Sequence, residues 1–203
     1  MSEFDISLYN NDFFAWHWEH ARNYSILTMN DLINQFQIES VVDFGCGIGS
    51  YLESAFQKGI NPKGIKGYDI GGEHAKLWTP TSIQHLIEYR DCTEPIKTSM
   101  KYDCVISFET AEHIDPKGND IFVKNICDAV TKTGFILFTA APPGQDGCGH
   151  INCHEKSFWL EKFENHKVYE NEFLTLAIKD RWRALNVGCP DYILNNLIVM
   201  KKR

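Results

Sequence analysis

The chain has 203 residues, 43% hydrophobic and 23% charged, which suffices for one domain with a buried core. Its 20 basic residues against 27 acidic ones leave a formal charge of −7, which argues against a broad nucleic-acid-binding face. No apolar run reaches transmembrane length and no signal peptide opens the chain, so the seven scattered cysteines are expected free, in a reducing, cytoplasmic setting.

Residues 1–36 read as a helical cap and 37–203 as an α/β core. Within the cap, Asp12–Phe36 predicts one or two helices that bury Phe13, Trp16, Ile26, Leu27, Ile33 and Phe36. Strand-like runs follow at Ser40–Phe44, Ile65–Ile70, Leu86–Cys92, Tyr102–Phe108, Gly134–Ala140 and Asn195–Met200. Helical patterns at Tyr51–Lys58 and Asn119–Thr131 alternate with them, which predicts a mostly parallel sheet covered on both faces. Lys58-Gly59 and Lys132-Thr133-Gly134 read as basic last turns stopped by glycine. Ala141–His154 is rich in Pro, Gly and polar residues, a loop at the carboxyl end of a strand, where function concentrates.

The run SVVDFGCGIGS, Ser40–Ser50, carries the strongest signal. An apolar strand ends in Asp43, and Gly45, Gly47 and Gly49 alternate before a helix whose first N–H groups lack partners. The spacing is G-x-G-x-G with Ser50 next, which departs from the dinucleotide fingerprint. A carboxylate ahead of the glycines repels a pyrophosphate and suits a cationic ligand. Asp69, twenty-six residues on, closes the second strand where a carboxylate can accept ribose hydroxyls, and Asp91-Cys92 closes the third, within reach of an adenine amino group. A cationic amino-acid end, a ribose and an adenine together describe S-adenosylmethionine. The expected cofactor set is Asp43, Gly45, Gly47, Gly49, Asp69, Asp91 and Cys92, with Phe108 at the close of the fourth strand.

VVDFGCGIGS, GYDIGG and YDCVISFETAEHI resemble the first, second and fourth motifs of the class I S-adenosylmethionine-dependent methyltransferases, a likeness running from about Tyr9 to Lys201. Ser107–His113, Thr139–Asn152 and the closing LNNLIVMKK are similar to bacterial and viral members associated with surface-polysaccharide genes. The resemblance implies a Rossmann-like, seven-stranded, mostly parallel sheet in a single domain. It also implies O-methylation of a sugar hydroxyl in a glycan.

Glu109-Thr110-Ala111-Glu112-His113 follows the fourth strand, and on a helix turn Glu109, Glu112 and His113 would share one face. Three readings stand. Glu109, Glu112 and His113, with His150, could bind Mg, Mn or Zn, as a similar E-x-x-E-H pattern does in some RNA 3′-end and quinone-precursor O-methyltransferases. His113 or His150 could instead be a general base oriented by the glutamates, or the acids could merely sit at a helix N-terminus. Cys148, His150, Cys153 and His154 are too closely spaced to surround one zinc ion readily. Gln145, His150, Asn152 and Trp16 are expected to bind the acceptor, with Trp16, His17 and Tyr24 forming a lid over the cofactor or acceptor. The competing readings are a metal-dependent enzyme acting on a small molecule or an RNA 3′ end, and a cofactor-binding module without catalysis.

Overall fold

The computed structural model describes residues 5–203. Asn10 accepts hydrogen bonds from the N–H groups of Asp12 and Phe13 and so starts α1, Asn11–His20. After Ala21 comes α2, Arg22–Phe36, which ends where Gln37 turns left-handed at φ 50°. The cap is therefore two helices, and their inward face is rotated from the one predicted. Phe14, Met29 and Leu32 are buried, whereas Trp16, Leu27 and Phe36 are exposed and Phe13, Ile26 and Ile33 half-buried. Ser25, Thr28 and Asp31 are buried beside the apolar residues, so a polar stripe hid the true face from the sequence pattern.

The core then alternates strand and helix: β1 Val41–Phe44, α3 Ser50–Gln57, β2 Ile65–Asp69, α4 Gly72–Trp78, β3 Ile87–Tyr89 and β4 Tyr102–Ser107. It continues with α5 Asn119–Ala129, β5 Val130–Phe138, α6 Lys156–Glu164, β6 Val168–Glu170, α7 Glu172–Ala184, α8 Asp191–Asn196 and β7 Ile198–Lys202. The sheet order is β3-β2-β1-β4-β5-β7-β6, parallel except for β7, which runs antiparallel to both neighbours. Chain order reverses between β1 and β4, and a ligand crevice opens outside the carboxyl ends of strands at such a switch. The expected seven-stranded, mostly parallel fold is the one observed.

Helices cover both faces. Leu52 of α3 and Trp182 of α7 pack on one face with Val41 and Ile106, and Phe122 of α5 and Trp159 of α6 pack on the other with Val42 and Val105. Burying each such side chain contributes about 1.5–3 kcal/mol. Arg22–Glu53 and Arg181–Asp31 ion pairs tie α2 to α3 and to α7.

Three boundaries differ from expectation. Gly59 does stop α3, at φ 86°, but residues 132–134 lie within β5, because Val130 turns extended directly after α5. The stretch predicted as strand from Asn195 closes α8 first, and β7 begins at Ile198. The third strand is only Ile87–Tyr89, which leaves Asp91 and Cys92 in the loop beyond it.

Candidate active site

A cavity of about 680 Å³ opens at the carboxyl ends of the parallel strands, beneath α1. Its first half is the glycine turn. The N–H groups of Gly45 and Cys46 both donate to the Tyr68 carbonyl, at 2.8 and 3.0 Å, which folds the turn back onto β2. A Cβ on Gly45, whose φ is 83°, would lie 2.2 Å from Thr110 Oγ1. At Gly47, φ 53°, the Cβ position meets nothing within 4 Å, so a bare backbone faces the cavity. Gly49 caps α3 and is absent from the cavity wall among the described residues, so its role is to start the helix.

Asp69 is buried, and its two oxygens accept from Gly47 N and Gly71 N, each at 2.7 Å. Burial raises its pKa, against the opposing pull of those N–H groups. Asp43 lies 2% exposed on the wall, and burial, reinforced by Asp69, holds its carboxyl well above the ordinary range. A cationic group placed between these two acids would favour their ionised forms. Asp91, Cys92, Thr93 and Phe108 complete this half, with Asp91 Oδ1 accepting from both the N–H and the hydroxyl of Thr93 at 2.7 Å.

The second half departs from the predicted helix turn. Residues 109–115 form no helix, and α5 starts only at Asn119. Glu109 adopts a left-handed φ of 47°, with its N–H donating to Thr139 Oγ1 at 2.8 Å. Helical spacing therefore does not govern its side chain, although its carboxyl still lies close enough to Glu112 to raise that group's pKa. Gln145 Nε2 donates to Glu109 Oε2 at 3.1 Å, and Asn196 Nδ2 donates to Gln145 Oε1 at 2.9 Å.

Glu112, His113 and His150 do converge: one ligand atom from each lies within 4.8 Å of the others. Among the described residues Glu109 falls outside that set, and so do Cys148, Cys153 and His154. Glu112 is fully buried, neither oxygen finds a hydrogen bond of ordinary geometry, and burial together with Glu109 raises its pKa well above the usual range. Each histidine lies against a backbone carbonyl: His113 Nδ1 is 3.2 Å from Gly149 O and His150 Nδ1 is 3.0 Å from Gln145 O. A carbonyl only accepts, so this assigns the proton to Nδ1 and leaves both Nε2 atoms with a free lone pair. Such an arrangement suits a base or a metal ligand.

Asn152 does not meet acceptor space. It is 2% exposed, donates to Ala111 O and Asn119 Oδ1, and accepts from Asn119 Nδ2, so it clamps the loop from behind. Its amide is saturated by the scaffold, which removes it from the predicted acceptor contacts. Gln145 and His150 remain on the wall.

From above, Tyr9, Phe13, Trp16, His17 and Tyr24 line the cavity, as the lid reading expects for the last three. Trp16 is 49% exposed at the rim and stacks on His20 at 4.8 Å. Burial lowers the pKa of His17 to about 4. The unfolded chain therefore binds a proton that the folded chain refuses between about pH 6.5 and that value, and stability from this group falls as pH falls. Compared with wild type in thermal unfolding, His17→Phe should gain relative stability between pH 7.5 and pH 5. A constant difference across that range would refute a buried neutral imidazole.

Sequence reasoning missed Tyr9, Thr110 and Tyr192 as wall residues. Tyr192 sits on the short α8 after Pro190, with no motif around it, and Tyr9 precedes the Asn10 cap, a place where apolar residues commonly pack back on a helix.

A family profile described as a methyltransferase domain matches residues 16–180, and the chain belongs to that family. A sphingolipid C9-methyltransferase of Candida albicans is 28% identical over 131 residues, covering 59% of this chain. The match spans 25% of that relative's length. Streptomyces venezuelae DesVI superposes over 100% of both chains with a TM-score of 0.65 at 12% identity. The O-methyltransferase of a trans-AT PKS multienzyme from Brevibacillus brevis, in complex with S-adenosyl-L-homocysteine, covers 88% of this chain and 71% of its own, with a TM-score of 0.59 at 17% identity. At such identities these likenesses are of fold.

Proposed function

We propose that this methyltransferase transfers the methyl group of S-adenosylmethionine to a hydroxyl oxygen, and that the hydroxyl belongs to a sugar of a glycan. The observation that carries the reading is a single cavity with two halves. A carboxylate-floored glycine turn lies on one side, and an imidazole pair with free Nε2 atoms lies on the other. The bound donor supplies a methyl group on a sulfonium centre. Asp43 favours its cationic end, Gly47 admits its backbone-hugging part, and Asp69, Asp91 and Cys92 face its ribose and adenine.

The protein's remaining task is to align the acceptor oxygen and remove one proton. His150 Nε2 accepts that proton. Its Nδ1–H is anchored on the Gln145 carbonyl, which fixes the ring's direction. Burial, then the neighbouring His150, lowers the His113 pKa to about 4, which makes it a poor proton acceptor, and it serves to orient.

A second reading is favoured by the convergence of Glu112, His113 and His150: these residues would hold Mg, Mn or Zn, lowering the pKa of the acceptor hydroxyl. Their fit is chemical, since a buried carboxylate with no hydrogen bond of ordinary geometry and two imidazoles with anchored Nδ1–H groups are what such an ion takes. The test is S-adenosylhomocysteine binding by calorimetry together with methyl transfer to a panel of glycosides. Binding with transfer is expected; binding without transfer to any hydroxyl would refute the acceptor assignment. Loss of transfer in EDTA, restored by Mn or Mg, selects the second reading.

A further inference from the structure

Within the reading just given, we infer that the acceptor is electrically neutral: a glycoside or free polyol, not a phosphorylated sugar, a nucleotide-linked sugar or a nucleic-acid end. Among the described residues lining the cavity there is no lysine and no arginine, while Asp43, Asp69, Asp91, Glu109, Asp115 and Asp146 all contribute to its wall. Enzymes that hold phosphate present arginine forks, lysines or unobstructed helix N-termini to it.

The acids are distributed so that they act on the acceptor as well as the donor. Asp43 and Asp69, at the ends of β1 and β2, and Asp91, in the loop after β3, belong to the donor half. Glu109, Asp115 and Asp146 flank the half built from the β4 turn and the His150 loop, and Asp115 and Asp146 are exposed at its mouth. Arg22, the base nearest the cap wall in sequence, is committed to the Glu53 carboxylate and to the face of Trp18. A dianionic phosphate entering this space would meet carboxylates and find no cation to pair with.

What the walls do offer suits a neutral polyol. Tyr9, Phe13, Trp16, Tyr24 and Tyr192 supply aromatic faces, against which the C–H face of a sugar ring packs, and Gln145 and the acids supply hydroxyl partners. Carboxylates accept hydrogen bonds from hydroxyls and cost nothing electrostatically when the ligand carries no charge.

The experiment compares methyl glycosides of common monosaccharides with the 1-phosphates and nucleoside-diphosphate conjugates of the same sugars. Both transfer and calorimetric binding to the full chain saturated with S-adenosylhomocysteine are read, so that the result does not depend on turnover. A preference for the neutral form of at least tenfold is expected. Asp146→Lys, which places a cation at the mouth, should narrow that preference severalfold. Equal or tighter binding of the phosphorylated forms would overturn the inference, as would a preference that Asp146→Lys leaves intact. Binding of the neutral form without any transfer would instead count against methylation of a hydroxyl, leaving the charge rule standing.

Discussion

His150→Ala is expected to lower kcat by roughly 10²–10⁴-fold, the range that a positioned proton acceptor contributes, while S-adenosylhomocysteine binds as it does to wild type. The asymmetry follows from where the ring sits. His150 lies in the loop after β5, against Gln145 O at 3.0 Å, and faces His113 with ring centroids 5.0 Å apart. It takes no part in the glycine turn or in the Asp69 hydrogen bonds that shape the donor half. A companion variant, Glu112→Gln, separates the two accounts of the imidazoles. If His150 acts as a base alone, Glu112→Gln, which replaces a carboxyl whose charged form burial disfavours, changes kcat little. If the triad holds a cation, both variants fall together and both lose bound metal. Donor-product affinity that drops in step with kcat in His150→Ala would contradict the division of the cavity into two halves.

The donor half was legible because its chemistry is local in sequence. Asp43 and the glycines fall within seven residues, and Asp69 closes β2 as an apolar run predicts, whereas Asp91 falls in the loop two residues past β3. The alternation of apolar strands with helices likewise carried the sheet, since burial on both faces leaves an unambiguous apolar run such as Val41–Phe44. The acceptor half was less legible because its geometry depends on one backbone torsion. Glu109 at φ 47° breaks the helix that E-x-x-E-H suggests, and a non-glycine residue in that region cannot be read from its identity. Asn152 misled for a related reason. A polar residue in a Gly-rich loop looks exposed, but the Asn119 side chain from the start of α5 claims its amide from a distance of 33 residues. Two short elements, β6 with three residues and α8 with six, offered too little periodicity to register.

Asp69→Ala should be the most damaging single change in the donor half, and it should act on stability and on binding at once. Its two oxygens are the acceptors for Gly47 N and Gly71 N, so one side chain holds the glycine turn after β1 and the turn after β2 in a fixed relation. Alanine would leave the buried Gly71 N–H and the half-buried Gly47 N–H without their partner, at about 1–3 kcal/mol each. For a chain of this length that corresponds to a fall in melting temperature of roughly 4–24 °C. The same loss frees Gly47, whose bare backbone faces the cavity, so the rise in melting temperature that S-adenosylhomocysteine gives the wild type should vanish. Asp69→Asn provides the control for charge. Its one amide oxygen can still accept one of the two N–H groups, and its NH2 opposes the other, so it should be intermediate in stability. If Asp69→Ala instead keeps donor-product affinity within threefold of wild type, the carboxylate merely braces the two turns and the ribose must be recognised by other residues.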